Sequence, residues 1–403
     1  MLCSTESSRL PGRAGVRRRV RRKVVARRWR FGLVGCGRGS AYGHLIYHHP
    51  ACEIAAICDR DPEALARHQQ EVRLPDDRCF TEYREMLASQ PTLDAVVIGT
   101  PIPVHAEQAV AALEAGIHVM SEVTAAHTVE GCRRIVEAVR ASGCLYMLAE
   151  NTIYRPLFRE WEKLVWEGRL GEVIYAEADY LHPIPELLRN SKTGERRWRA
   201  ERPPVHYCSH SLGPLLYLMK DRVVRAMAVG QGERILPGVG VGAVDVQVAV
   251  FETARGAIIK MTRTQVAPRH PPVHYYHLQG TRGFVETDRR GAGFTGGRQR
   301  GLLYVGGEME QAEEVEWPEM DPCVPEWAAL GGHGSSDYST FVAFLQALES
   351  GERPVLDEIR AWDLTVPGLV AAESAARGGE WRGVPPPPGS EEPDQRRSDE
   401  GGK

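Results

Sequence analysis

Trp29-Arg30-Phe31-Gly32-Leu33-Val34-Gly35-Cys36-Gly37-Arg38-Gly39-Ser40 is the stretch on which the fold turns. A short apolar run ends in a turn with glycine at 35, 37 and 39, and a helix opens near Tyr42. In that order of strand, glycine turn and helix, a pyrophosphate can approach bare backbone while the helix N-terminus supplies free amides and the positive end of its dipole. Ser40 fills the third glycine position of the usual spacing, so the turn needs support from its context. The next apolar run ends at Cys58-Asp59, 24 residues after Gly35, which puts a carboxylate where an adenosine ribose diol needs an acceptor. Gly35, Cys36, Gly37, Arg38, Gly39, Ser40 and Asp59 are therefore the expected dinucleotide contacts. Asp59 repels a 2′-phosphate and favours NAD, while Arg60 beside it could pair with that phosphate and keeps NADP open.

Outward from this turn, apolar runs at 31–34, 53–57, 94–98, 118–120 and 145–148 alternate with segments at 62–70, 106–115 and 129–141 whose apolar residues fall three and four apart. Short runs bounded by glycine and proline suit buried parallel strands, and the intervening segments suit crossover helices. The expected fold class is α/β plus α+β: a doubly wound Rossmann sheet, then a domain with a large, mostly antiparallel sheet flanked by helices. The second part rests on alternating runs near 173–180, 223–229, 244–251, 257–264 and 275–278, with closing helices at 338–348 and 358–375. The expected organisation is a disordered basic extension over 1–28, the dinucleotide domain over 29–150, a substrate and oligomerisation domain over 151–384, and a disordered tail over 385–403.

Composition agrees with two folded units. The 403 residues are 42% apolar and 26% charged with a formal net charge of −3, which does not suit a disordered or polyanion-binding chain. The nine cysteines are scattered without a CxxC, so neither a zinc site nor a disulfide ladder is expected, and a reducing cytoplasm fits. No apolar run approaches the roughly 20 residues of a membrane span. The arginines of the first 28 residues are not followed by an apolar region, as a secretory signal would require. Neither a nucleic-acid nor a membrane partner is expected, and no metal.

Beyond the glycine turn, Gly99-Thr100-Pro101-Ile102-Pro103-Val104-His105-Ala106 and Val110 to Val119 resemble the Gfo/Idh/MocA family of glucose-fructose oxidoreductase and inositol dehydrogenase; the likeness runs from Arg30 to Pro385. It implies that Thr100 and Pro101 line the nicotinamide ribose and that His105, opening the next helix, belongs to the cofactor site. Where the family usually has Glu-Lys-Pro, this chain has Glu122-Val123-Thr124, so the lysine beside the reacting hydroxyl is missing. Glu122 is left to touch the cofactor or to serve as a buried strand-end carboxylate. The block Pro204-Val205-His206-Tyr207-Cys208-Ser209-His210 stands where family dehydrogenases carry an aspartate and, four residues later, a histidine. His210 fits the histidine and His206 replaces the aspartate; four apart, they share a face if the turn is already helical.

Glu122-Val123-Thr124-Ala125-Ala126, Ala149-Glu150-Asn151 with Tyr154, Tyr207 before His210, and Gly332-His333-Gly334-Ser335-Ser336-Asp337-Tyr338 resemble the NAD-dependent α-N-acetylgalactosaminidase branch of that family more than its plain dehydrogenases. The resemblance implies His210 and Tyr207 as acid and base with Glu122 at the reacting centre, Asn151 at the cofactor, and Tyr154, His206 and His333 around a sugar. Trp198 and Arg199 add a surface that stacks on and hydrogen-bonds a sugar or an acidic substituent. The expected function is an NAD(P)-dependent oxidoreductase taking hydride from a secondary hydroxyl of a sugar or cyclitol. The alternatives are a redox-neutral NAD-dependent glycosidase and a cofactor-binding sensor without turnover. A homo-oligomer through the open second sheet is expected.

Overall fold

A computed structural model describes residues 27–90, 92–290, 299–318, 320–330 and 333–390. The basic arm expected over 1–28 thus lies outside the described residues except for Arg27 and Arg28, and the expected tail except for 385–390.

The first sheet holds β1 (Trp29–Val34), β2 (Cys52–Cys58), β3 (Cys79–Phe80), β4 (Ala95–Ile98), β5 (His118–Ser121) and β6 (Tyr146–Leu148), all parallel, in the order β3-β2-β1-β4-β5-β6. Helices α1 (Ser40–His48), α2 (Pro62–Val72), α3 (Tyr83–Ser89), α4 (His105–Glu114) and α5 (Val129–Ser142) make the crossovers. Ala95, Val96, Val97 and Ile98 are fully buried because helices cover both faces, and this explains why the strand is uniformly apolar rather than alternating. Local signals set the helix ends. Asp61 accepts the Glu63 N–H at 2.9 Å ahead of α2, Thr128 accepts the Gly131 N–H at 3.0 Å ahead of α5, and Gly143 closes α5 at φ +68°. This is the Rossmann strand order, whose ligand crevice opens between β1 and β4.

The chain continues through α6 (Pro156–Trp166), β7 (Val173–Leu181), α7 (Pro185–Leu188), α8 (Ser209–Met219), β8 (Val223–Gln231), β9 (Val246–Thr253), β10 (Ile258–Thr264), β11 (Val273–Gly280), β12 (Gly283–Thr287), β13 (Gln299–Val305), β14 (Glu313–Trp317), α9 (Ser335–Ser350), α10 (Glu358–Asp363), α11 (Val366–Ala376) and β15 (Arg382–Gly383). Among the described residues these strands form a nine-stranded sheet, β14-β13-β12-β11-β7-β10-β9-β8-β15, antiparallel except for the parallel pair β7 and β10. Gln247, Ala249, Phe251 and Thr253 of β9 are buried while the residues between them are half-buried, the alternation of a sheet covered on one face. On the same sheet Ile174 and Val229 are about half exposed, at 50% and 51%.

Some elements differ from expectation. The outer strands β12, β13 and β14 were not expected, because Gly283, Gly301 and the acid-rich Glu313-Glu314-Val315-Glu316 lack apolar alternation; pairing with neighbouring strands makes them extended. The helix expected over 358–375 is two, since Pro367 can start α11 but cannot continue α10. Helix α9 packs on the first sheet, with the Phe341 and Phe344 rings 5.6 and 6.4 Å from that of Phe31. The proline run begins against α10, where Trp362 Nε1 donates to the Pro385 carbonyl at 2.9 Å. No helix among the described residues is long and apolar enough to cross a membrane.

Candidate functional site

The glycine turn after β1 meets the turn after β4 at the point where the strand order reverses. Gly35 holds φ +90°, and a Cβ there would lie 2.7 Å from the Gly99 backbone; one at Gly39 would lie 2.2 Å from the Gly35 carbonyl oxygen. Both positions therefore exclude a side chain. Gly37 instead faces open space, with nothing within 4 Å of a Cβ built on it, at the start of a helix whose first turn carries no acid. Ser40 Oγ donates back to the Gly37 carbonyl at 2.8 Å and tightens the turn. Asp59 accepts the Cys36 N–H at 2.6 Å and the Asp61 N–H at 2.9 Å, which fixes its carboxylate beside the cradle. These residues fit a dinucleotide: an open backbone cradle, a helix N-terminus and an anchored carboxylate at the tip of β2. Arg60 stands largely in solvent, with an ion pair to Glu82 at 3.9 Å.

Arg38 is more committed than a cofactor contact need be. Its Nε meets Glu122 Oε1 at 2.8 Å, and its two terminal nitrogens grip Asp337 at 2.8 and 3.0 Å in a bidentate pair. Asp337, at the start of α9, also accepts from Asn151 Nδ2 at 2.7 Å and from the His333 N–H at 3.0 Å. Burial opposes its ionisation, but His333 and Arg38 outweigh it and hold the carboxyl well below its usual range. The glycine turn is thereby tied to β5 and to α9. The signal for Asp337 in the sequence was its place in the 332–338 block, yet its partner Arg38 lies 299 positions away.

A cavity of about 460 Å³ opens beside this network, at the carboxyl ends of β4, β5, β7 and β10. Thr100, Pro101, Glu122, Trp198, Arg199, His206, Tyr207, His210 and His333 all line it, so residues spread over 234 positions converge on one cleft. His210, in the first turn of α8, is 7% exposed. Its Nδ1 lies 2.9 Å from Glu150 Oε1 and 3.2 Å from Thr152 Oγ1, while its Nε2 lies 3.1 Å from the Tyr207 hydroxyl. The fully buried carboxylate selects the Nδ1–H tautomer and leaves Nε2 as an acceptor toward the cleft. Glu150 fits there because residue 213 is glycine: a Cβ on Gly213 would come within 2.8 Å of its Cγ. Burial first, then Tyr180 and Glu122, push the Tyr207 phenol well above its usual range, against the pull of Arg199.

Other expected residues take different places. His206 lies in the single turn Pro204–His206 ahead of α8, so it shares no helical face with His210; the two still reach the same cleft. Burial, with help from Arg202 and His127, lowers the His206 pKa to about 4, which keeps the ring neutral. His105 is buried behind the cleft, its ring nitrogens 2.7 Å from the Thr100 carbonyl and 2.9 Å from the Thr124 carbonyl, and it clamps the loops that follow β4 and β5. Among the described residues Asn151 meets the site through Asp337, to which its Nδ2 donates at 2.7 Å. Tyr154 packs in the core under the Arg159 guanidinium, 5.1 Å from the ring centroid, and is not part of the lining. Glu150 and Arg263 were not singled out from the sequence. Glu150 adjoins the expected Asn151 but its partner is 60 residues away, and Arg263 stands between Thr262 and Thr264 at the polar end of β10, where its place on the buried face with Ile259 and Met261 shows only in the fold.

A 3-2-1-4-5-6 parallel sheet with a glycine cradle, facing an imidazole and a phenol across one cleft, defines a nicotinamide-dependent oxidoreductase architecture. Residues 29–150 match the oxidoreductase family model with an NAD-binding Rossmann fold, and residues 158–286 match the GFO/IDH/MocA C-terminal domain. The chain belongs to the Gfo/Idh/MocA oxidoreductase family, and its first domain is the NAD-binding Rossmann fold of that family. It is 26% identical over 395 residues to a glycosyl hydrolase family 109 protein of Solibacter usitatus, across 87% of this chain and 86% of that protein. A glycosyl hydrolase family 109 protein of Shewanella pealeana is 28% identical over 369 residues, across 80% and 77%. Among solved structures, levoglucosan dehydrogenase in complex with NADH and L-sorbose shares the fold at a TM-score of 0.74 with 21% identity, across 89% of this chain and all of that one. The inositol dehydrogenase homolog of Azotobacter vinelandii, complexed with NADH and myo-inositol, does so at 0.70 with 20% identity, across 89% and 98%.

Proposed function

We propose that this protein oxidises a secondary hydroxyl of a sugar or cyclitol, with residues 29–150 holding NAD and residues 151–384 holding the substrate. One observation carries the reading: the Glu150–His210–Tyr207 chain, at 2.9 and 3.1 Å, ends in the same cleft that Thr100 and Glu122 line beside the nicotinamide side of the fold. Bound NAD supplies the acceptor for the hydrogen that leaves the substrate carbon with its electron pair. The backbone around Gly37 and the Asp59 carboxylate bind the dinucleotide, and Thr100 and Pro101 orient its ring end. His210 Nε2, directly or through the Tyr207 hydroxyl, takes the hydroxyl proton as the carbon is oxidised. Glu150 stabilises the imidazolium that results, and its full burial gives the charge interaction weight it would not have in water. His206, Trp198, Arg199 and His333 surround the sugar.

A second reading has support of its own. Val123 lines the cleft where the usual family lysine would bring an ammonium, and the curated relatives are named for glycoside hydrolysis. In a redox-neutral glycosidase the same first step acidifies the neighbouring C–H, the glycosidic bond leaves by elimination, water adds, and the hydrogen returns to its carbon. Incubating the full-length protein and NAD with aryl glycosides and free sugars, while following aglycone release and reduced-nicotinamide absorbance together, tests both. Accumulating reduced cofactor with free sugars supports oxidation; aglycone release without it supports the second reading; neither signal across the panel refutes both. The open face of the nine-stranded sheet is the proposed surface for pairing with a second copy.

A further inference from the structure

Arg263, on β10, lines the cleft at 2% exposure. Its Nε donates to the Pro204 carbonyl at 3.3 Å, and its Nη1 is buried without a hydrogen-bond partner. The guanidinium lies 3.9 Å from the ring centroid of Tyr180 and 5.3 Å from that of Tyr207, the residue that touches His210. Among the described residues no carboxylate forms an ion pair with it. Arg199, in the turn Trp198–Glu201 that lines the same cleft, stacks over Trp198 at 4.2 Å and likewise has no carboxylate partner among the described residues. The nearby acids are already committed: Glu122 and Asp337 to Arg38, and Glu150 to His210.

A buried guanidinium whose fork is not filled by the protein is costly, and aromatic faces compensate only part of the lost hydration. Burial accordingly lowers the Arg263 pKa to about 10. An oxyanion would complete the fork, because two oxygens of a carboxylate or a phosphate match the guanidinium geometry bidentately. The cofactor's own pyrophosphate belongs to the turn at 35–40 and does not account for this charge. We infer that Arg263 and Arg199 form a subsite for an anionic substituent, a carboxylate or a sulfate or phosphate ester, on the sugar that the preceding reading places beside His210. The inference rests on that reading and narrows its substrate class to acidic sugars.

Calorimetry on the full-length, NAD-loaded protein with D-glucose, D-glucuronate and D-glucose 6-phosphate, and with D-galactose and D-galacturonate, tests it. At least one acidic member should bind about tenfold or more tighter than its neutral parent. Arg263→Met should bring the acidic-to-neutral affinity ratio close to one while leaving NAD affinity unchanged, and the uronate and phosphate arms separate a carboxylate from an ester. Neutral sugars binding as well as the acidic ones would overturn the subsite while leaving sugar oxidation standing. Equal weakening of neutral and acidic ligands in Arg263→Met would reduce the arginine to a packing role and overturn it too. Binding of no sugar at all would refute the sugar reading itself and the subsite with it. If circular dichroism shows Arg263→Met unfolded, the acidic-to-neutral affinity ratio of Arg199→Gln decides instead: a ratio that falls toward one supports the subsite, and a ratio unchanged from wild type overturns it.

Discussion

Replacing Glu150 by glutamine tests the acid–base chain at its most informative link. Glu150 Oε1 faces two donors, His210 Nδ1 at 2.9 Å and the Thr152 N–H at 3.0 Å, whereas Oε2 is buried with no partner. The glutamine carbonyl should therefore take the Oε1 position and the amide nitrogen the empty one. The tautomer survives and the negative charge does not. What disappears is the charge-assisted part of a buried hydrogen bond, about 1.5–3 kcal/mol, and it is lost chiefly when the imidazole is protonated. That corresponds to a drop in kcat of roughly 10- to 150-fold with KM little changed. The unpaired amide costs about 1–3 kcal/mol of stability, so thermal unfolding must be measured alongside. Glu150→Ala should do worse, toward the roughly 10²- to 10⁴-fold of a lost general base, because the ring then has no fixed acceptor. The assay is steady-state turnover of the best sugar from the panel, followed by reduced-nicotinamide absorbance. A Glu150→Gln enzyme within twofold of wild type, folded and NAD-loaded, would refute the reasoning.

Other outcomes follow from the same geometry. Gly213→Ala places a methyl 2.8 Å from Glu150 Cγ and should lower turnover while calorimetry shows unchanged NAD affinity. Asp59→Ala should weaken NAD binding about tenfold or more, through the ribose contact and through release of the Cys36 amide it anchors, whereas Arg60→Ala in solvent should change NAD binding by less than about twofold. Burial leads in lowering the pKa of both His182 and His206 from 6.5 to about 4, so the unfolded chain takes up their protons first as pH falls. Stability should thus be full above pH 6.5, decline toward pH 4 by at most about 1.4 kcal/mol per pH unit for each histidine, and level off below. Urea midpoints across that range check it, and His206→Asn should shallow the decline.

Much of the first domain could be read from residues in order, because parallel strands buried on both faces are apolar throughout and two of their helices, α2 and α5, carry their own N-caps. The dinucleotide turn was legible for a similar reason: Gly39 and Asp59 act on neighbours within one βαβ unit, whereas the contact of Gly35 with Gly99 shows only in the fold. The second sheet was legible at its centre and not at its edge, where β13 and β14 are extended through pairing and not through pattern. Tertiary partners explain the rest. The ion pairs of Arg38 with Glu122 and Asp337, and the place of the His105 ring between the Thr100 and Thr124 carbonyls, join segments that only the fold brings together. Glu150 and Arg263 matter through residues 56 to 83 positions distant in the chain, which no spacing rule within one element reaches.

Isotope transfer tests the central claim most directly. Mixing the NAD-loaded protein with a turned-over sugar deuterated at the oxidised carbon, stopping the reaction within one turnover and weighing the extracted cofactor asks whether that hydrogen passes to nicotinamide. Reduced cofactor one mass unit heavier is expected in the wild type and almost none in His210→Ala, for net oxidation and for the redox-neutral cycle alike. Product formed while the cofactor stays unreduced and unlabelled would contradict it.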